Sequence, residues 1–336
     1  MTRKTRYFMT GSAAVLAGGL CTGLVAYYGG GFPALVASTG PTELSYVPAD
    51  ASVVAYADVK SIMASELRQR FKQVGPMSED GQREFFDKTG IDIENDIDYI
   101  VAAAGALPGN GSTHPNGVVV ARGRFDIVKL EGLAREHGAQ VQEYKGKRML
   151  TLQHESSDPT ATTTQTAGTV GVLAFLEPGL VALGDLSSVQ RAIDAQLSAQ
   201  SITSNNEMMD LVKDIEQSNN AWAVGRFDLI ASQAKLPDEI AQKLPPVKWL
   251  AVAGHVNGGV SAQLRAEAND DQAAENLRGV INGVISLARL QGQNDPKLTS
   301  LIQSLQLTGD GKTVRLSFAV PAEIFELMQP KAQVVH

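Results

Sequence analysis

At 336 residues the chain is long enough for two ordinary domains or one repeated one, and 43% apolar against 19% charged residues is the balance of a folded protein. A net charge of −7, with no basic stripe interleaved with aromatics, excludes a general nucleic-acid binder. The one cysteine, Cys21, excludes an internal disulfide and any cysteine-based zinc or iron–sulfur site, so the folded part must be held by its core.

Arg3, Lys4 and Arg6 open the chain, and no charged residue follows from Tyr7 to Thr42. Phe8–Tyr28 is rich in Ala, Gly, Leu and Val, and a span of about 20 residues crosses a hydrocarbon core. The positive-inside rule leaves the N-terminus in the cytoplasm and exports the rest. Residues 1–28 therefore read as one transmembrane anchor helix. Two alternatives stand beside it. One is a cleaved signal peptide with Ala13–Ala26 as its apolar region; the other is a lipoprotein attached at Cys21, although Leu20 occupies the place that wants a small residue. Residues 29–43, rich in Gly, Pro and Ser, read as a flexible spacer.

The first folded stretch, 44–200, begins with the turn Val47-Pro48-Ala49-Asp50 and the strand Ser52–Ala57. Asp58 then stands at a helix N-cap, and an apolar stripe carries that helix to Val74, where Gly75-Pro76 ends it. A second helical piece covers 79–89. Gly90–Asp98 alternates acids with isoleucines, which suggests a calcium loop at first sight. It has neither the sharp-turn glycine nor the distal bidentate Glu of such a loop, and fits an amphipathic turn before the strand Tyr99–Ala104. Gly105–Gly117 is a polar loop holding His114, a candidate ligand or base whose plainer reading is a solvated loop histidine.

The strand Val118–Ala121 runs into Gly123-Arg124-Phe125-Asp126, and this tetrapeptide returns as Gly225-Arg226-Phe227-Asp228 after Ala221–Val224. Side chains alternate along a strand, so Val119, Ala121 and Phe125 share one face, as do Ala221, Ala223 and Phe227. Small residues closed by a Phe fit a sheet face with a helix lying close, and each Asp fits an N-cap. As matched ligand sites, Arg124/Asp126 and Arg226/Asp228 would need each Arg and Asp to cooperate. Capping aspartates with arginines on the other face are the simpler account.

A helix Asp126–His137 follows, then a hairpin about Lys145-Gly146-Lys147, a low-complexity tip 154–168, a hairpin about Glu177-Pro178-Gly179, and a helix from Asp185 to Ala199. The second stretch, 201–330, reads as a helix Glu207–Gln217, the strand Ala221–Val224, helical pieces to Leu244, and a hairpin about Asn257-Gly258. It continues with a long helix Asp270–Leu290, a last hairpin pairing Ser300–Thr308 with Thr313–Val320, and a closing helix 322–328, leaving 331–336 as a tail. The expected fold is α+β: two tandem β-α-β-β-α-β (split-βαβ-like) repeats with antiparallel-rich sheets covered by helices, behind the transmembrane helix.

Val47–Ala51, Tyr56-Ala57-Asp58, Thr89-Gly90-Ile91-Asp92 and Gly254-His255-Val256 resemble a family of exported bacterial proteins with an N-terminal membrane segment and a DUF3352-like domain of unknown function. The resemblance covers most of the chain after residue 44. It implies an envelope location and supplies no activity and no site residues.

No Gly-x-Ser-x-Gly elbow, Walker loop or Gly-x-Gly-x-x-Gly motif is present. His255, on a strand before a turn, reads as a partly buried, hydrogen-bonded histidine rather than a catalytic base. The leading expectation is a membrane-tethered envelope protein that binds a partner protein or an envelope ligand, with no cofactor and no catalysis. An exported hydrolase with an unrecognised site and a scaffold that oligomerises through its sheet edges are the alternatives.

Overall fold

A computed structural model of the chain describes residues 41–70, 90–105, 117–136, 138–153, 170–216, 219–227, 245–292 and 296–321, with 83, 86 and 87 besides. The anchor, nearly all of the spacer, the His114 loop, Asp228, the helical pieces 229–244, the closing helix and the tail lie outside these residues.

Among the described residues twelve strands form one open sheet. In chain order they are β1 (Val53–Ala57), β2 (Ile97–Ala104), β3 (Gly117–Gly123), β4 (Gln140–Tyr144), β5 (Lys147–Gln153), β6 (Val170–Glu177), β7 (Leu180–Asp185), β8 (Ala221–Arg226), β9 (Val247–Val256), β10 (Gly259–Ala268), β11 (Gln306–Thr308) and β12 (Thr313–Pro321). The helices are α1 (Val59–Ala64), α2 (Glu66–Arg70), α3 (Ile93–Asp96), α4 (Ile127–Glu136), α5 (Leu186–Ser198), α6 (Asn206–Ile215), α7 (Asp271–Gly292) and α8 (Pro296–Ser304). Short 3₁₀ turns occupy Thr42–Tyr46 and Ile202–Ser204.

The strand order is β11-β12-β10-β9-β8-β1-β2-β3-β7-β6-β5-β4. β1 and β8 meet antiparallel at the middle, with Ala55 opposite Ala223, and one arm of the sheet spreads from each. Each arm begins as a three-strand meander, β1-β2-β3 or β8-β9-β10. In each, the chain then enters a helix and returns so that a late strand, β7 or β12, pairs with the third. All pairings among the described strands are antiparallel. A split-βαβ unit has a parallel pair at its centre. Here meanders and hairpins place successive strands side by side, so that motif does not describe the sheet, and both stretches share one continuous sheet.

The local grammar of strand, aspartate and helix holds. Asp58, Asp126, Asp185 and Asp270 each stand at or just past the end of a strand and accept from a backbone N–H of the next helix: Ser61, Lys129, Ser188 and Ala273, at 3.3, 3.0, 3.0 and 2.7 Å. The helix expected from Asp58 to Val74 is interrupted at Ser65, whose backbone is extended. The Ser65 hydroxyl accepts from Arg68 N–H at 3.1 Å, so Ser65 begins a second helix rather than continuing the first. Residues 300–304 belong to α8 rather than to a strand; Pro296 opens that helix, and only Gln306–Thr308 pairs with β12.

One face of the sheet, carrying Val54, Val101, Val120 and Leu180, packs under α5 and α6 with the two 3₁₀ turns. The other carries Ala55, Ala121, Val181 and Ala223, with Leu130 of α4 and Val59 of α1 over them. Farther along the second arm, Ala273, Ala274 and Leu277 of α7 cover Ala266 and Val314. The small-residue rows of both Gly-Arg-Phe-Asp copies thus face the same side of the sheet. The copies nevertheless end non-equivalent strands, β3 being the third strand of its arm and β8 the first of the other.

Gly123 is needed for a close approach of the backbone where α3 passes into β2. A Cβ there would lie 2.0 Å from the Asp96 carbonyl oxygen, where β2 begins. Gly132, inside α4, has nothing within 4 Å of its missing Cβ. Gly123→Ala is expected to lower unfolding stability by about 2 kcal/mol through forced backbone displacement. Gly132→Ala is expected to raise it by roughly 0.5–1 kcal/mol through helix propensity, both read by urea denaturation.

Candidate functional site: a buried carboxylate ahead of the first strand

Thr42 and Glu43 stand at the expected end of the spacer, yet they belong to the fold. The turn Thr42–Tyr46 lies against α5, and Glu43 is 1% exposed. A carboxylate taken this far from water needs its lone pairs filled. Oε1 of Glu43 accepts from Nε and Nη2 of Arg122 at 2.8 and 2.6 Å. Oε2 accepts from the Tyr99 hydroxyl at 2.9 Å and from Thr42 Oγ1 at 3.2 Å. Beside this pair the Tyr46 hydroxyl donates to Glu177 at 2.7 Å, and Glu177 lies 3.9 Å from the Arg122 guanidinium.

Burial, then the Glu43 charge and hydrogen bond, push the Tyr99 hydroxyl up to about 12. Burial and the Glu177 hydrogen bond raise Tyr46 as well. Burial by itself would lower the Arg122 guanidinium, but its bonds to Glu43 outweigh that and hold it above its ordinary value. The tyrosines are therefore proton donors that stay neutral, the Arg stays charged, and each Glu43 oxygen already takes two donors. This constellation fastens the Thr42–Tyr46 turn to β2 and β3. Tyr56 continues the cluster toward the seam, its ring 5.9 Å from Tyr99 and stacked 5.7 Å from Trp222 at 24°.

A second node lies at the end of the seam. Asn220 is buried, and its side chain behaves as an extra strand residue: Nδ2 donates to the Val256 carbonyl at 2.8 Å, and Oδ1 accepts from Val256 N–H at 2.9 Å. Its backbone N–H donates to the Gly254 carbonyl and its carbonyl accepts from Asp58 N–H. Two short motifs far apart in sequence, Tyr56-Ala57-Asp58 and Gly254-His255-Val256, are joined through it. Burial pushes the Asp58 carboxyl up to about 7, against the pull of its Ser61 hydrogen bonds and the Lys60 charge. On the second arm Asp214 of α6 bridges Arg265 at 2.6 Å and Arg315 at 2.9 Å, tying that helix to β10 and β12.

The residues singled out from sequence are not brought together. Arg124 is exposed and donates to the Asn95 carbonyl, while Asp126 caps α4, so they act separately. Arg226 is exposed at the end of β8, where its N–H donates to the Ser52 carbonyl. Asp228 and His114 lie outside the described residues. His255 is partly buried as expected, but its Nδ1 has no hydrogen-bond partner among the described residues, and Ser261 is its neighbour across β10. Asp92 caps α3 by accepting from Glu94 and Asn95 N–H, which assigns the acidic run a structural task. Among the described residues no group of three or more His, Cys, Asp or Glu side chains is placed to hold a metal. A cleft between Pro48, Asp50, Gly117, Ser188 and Arg191 encloses about 20 Å³, room for one water. Glu43, Arg122 and Asn220 carry no local signal in the sequence; only the tertiary pairing reveals them.

Two outcomes follow. Arg122→Met alone is expected to cost about 3–5 kcal/mol in urea denaturation, because it leaves the buried Glu43 carboxylate without its guanidinium; Glu43→Leu is expected to cost less, since Arg122 is 28% exposed and keeps Glu177 nearby, and the double variant is expected to cost less than Arg122→Met alone. Asp58, with a raised folded pKa, contributes stability that is complete below the ordinary carboxylate range of about 4 and is lost as pH rises through about 7. Asp58→Asn keeps the cap and should flatten the fall of the urea midpoint between acidic and mildly alkaline pH.

Neither a scan of family models nor a comparison with curated proteins finds a match. Among solved structures, one described as crystal form I of TP0453 aligns with 88% of this chain and 100% of its own, at 12% identity and a TM-score of 0.49, a likeness too distant to bear on function. Among the described residues no helix is long and apolar enough to cross a membrane.

Proposed function

We propose that the chain is a membrane-tethered envelope protein, exposed outside the cytoplasmic membrane, that works as an interaction module rather than an enzyme. The observation that carries this reading is the outer side of α7. Val280, Val284, Leu287 and Leu290 project there with 42, 61, 61 and 66% of their surface exposed, while the inner side of the same helix covers the sheet. An apolar stripe kept in water costs free energy unless something covers it. The tether follows from the uncharged stretch 7–42 behind three basic residues, and the Glu43 fastening would pass any pull on that tether straight to the sheet. The family resemblance adds an envelope location on the strength of its short motifs alone.

We also infer that the two arms descend from one duplicated unit. The support is their order about the seam, β1-β2-β3-β7-β6 against β8-β9-β10-β12-β11, with α4 and α7 both leaving the third strand onto the same face. The hairpin β5-β4, beyond β6, has no counterpart among the described residues of the second arm. The Gly-Arg-Phe-Asp copies do not mark this repeat.

The experiment is crosslinking and affinity recovery of the full chain from its native membrane, beside assays of ester and peptide hydrolysis. Recovery of a defined protein, including further copies of the chain, with no turnover is the expected result. Turnover of substrate without any recovered partner would replace this reading with that of an exported hydrolase.

A further inference from the structure

The two ends of the sheet are finished differently. At one end β11 has only three residues, and Ser304 occupies both the N–H and the carbonyl of Ala319 on β12. At the other end β4 lacks the usual protections of an edge. It pairs with β5 without a bulge, holds no proline and no lysine, and exposes Gln140, Val141, Gln142 and Glu143. A strand this exposed adds little to the core, so what it contributes is an edge.

The phase of the hairpin decides which groups that edge presents. Lys145 and Gly146, at φ 49 and 79°, make a two-residue turn that Tyr144 and Lys147 close as a hydrogen-bonded pair. Bonded pairs alternate along an antiparallel ladder, so Gln142 with Met149 and Gln140 with Thr151 are bonded as well. Val141 and Glu143 therefore turn their N–H and carbonyl groups away from β5, where they have no partner among the described residues.

We propose that β4 pairs antiparallel with β4 of a second copy about a two-fold axis at Val141, joining two sheets edge to edge; this rests on the interaction-module reading but not on the α7 stripe. An isologous contact must be complementary to itself, and this register is. The two Val141 residues exchange both backbone bonds, and their side chains, 37% exposed in the single chain, oppose each other. Gln140 opposes Gln142 of the second copy, amide beside amide, and the symmetry repeats the pair. Each Glu143 opposes Ala139 of the second copy, with its N–H directed at that carbonyl. Charge selects this register over its neighbours. Glu143 is the one charged residue of β4. An axis at Val141 sets the two Glu143 side chains about 13 Å apart along the strands, beyond the screening length of about 8 Å in physiological salt. An axis at Gln142 would make them diagonal neighbours, and one at Glu143 would set them face to face. The cations nearby are already engaged within their own chain, Lys145 by Asp194 and Arg148 by Glu131, and the pairing does not call on them. One strand pair is a small contact, so the expected dimer is concentration-dependent rather than obligate.

The test uses the full chain in mild detergent at micromolar concentrations. Sedimentation should show a monomer–dimer equilibrium. Val141→Pro should weaken dimerisation at least about tenfold while leaving the hairpin folded, since the N–H it removes takes no part in the β5 ladder. Val141→Lys, which sets two like charges opposite at the axis, should weaken it as much without touching the backbone. In a Cys21→Ser background, two differently sized versions carrying Q140C and Q142C should join to each other on mild oxidation, and neither should join efficiently to itself. Self-joining of each variant, or a dimer indifferent to both Val141 substitutions, overturns the proposal. A dimer that survives Val141→Lys and is lost on Val284→Asp overturns it in favour of the α7 stripe, and the interaction-module reading stands. A monomer that retains an unrelated protein also overturns it and leaves that reading standing. A monomer that retains nothing removes both.

Discussion

The pairing of β1 with β8 is the constraint on which this architecture depends. Five residue pairs, Val53 with Gly225 through Ala57 with Ala221, join two arms that would otherwise be separate sheets with exposed edges. The side chains on either side of this ladder are chosen for it. Ala55, Ala57, Ala221 and Ala223 keep one face shallow, while the stacked pair Tyr56 and Trp222 fills the other. Trp222, 2% exposed, is among the largest fully buried side chains and sits on the joint itself. Polar fasteners then guard the seam. Asn220 continues it toward β9, and Glu43 with Tyr99 and Arg122 closes the first arm beside it.

This arrangement explains how a chain with one cysteine and no described metal site holds a wide sheet together. Helices shield both faces, and burial of apolar surface supplies most of the driving force. The edges are managed differently. On the second arm β11 is only three residues long, and the Ser304 hydroxyl donates to the Ala319 carbonyl and accepts from its N–H, occupying the edge of β12 that β11 leaves open. Such blunting discourages further strands from adding there. The unspent apolar surface is on α7 instead, where side chains rather than backbone would make a contact.

Much of the fold was legible because its signals are local. An aspartate after a strand caps the helix that follows whatever lies elsewhere, so Asp58, Asp126, Asp185 and Asp270 could be read in place. Asn257-Gly258 and Lys145-Gly146 are turn chemistry, and both hairpins formed where they stand. That same locality made Gly-Arg-Phe-Asp misleading: the same four residues follow strands at non-equivalent positions of the two arms. The clamp was hidden for the opposite reason. Glu43 and Arg122 are separated by 79 residues, Asn220 and Val256 by 36, and neither end of either pair announces its mate. Ser65 hid its helix break because a serine in a helical pattern reads as helix until its hydroxyl is seen capping Arg68.

If the seam makes one body of the two arms, their opening must be shared. Native-state hydrogen exchange of the backbone amides in β1 and β8, followed through low concentrations of denaturant, tests this directly. The account predicts that amides of Val53–Ala57 and Ala221–Gly225 merge with those of β2, β3 and β9 into one opening reaction at the global free energy. Separate opening of the arms, with the β1–β8 amides exchanging before either, would contradict it.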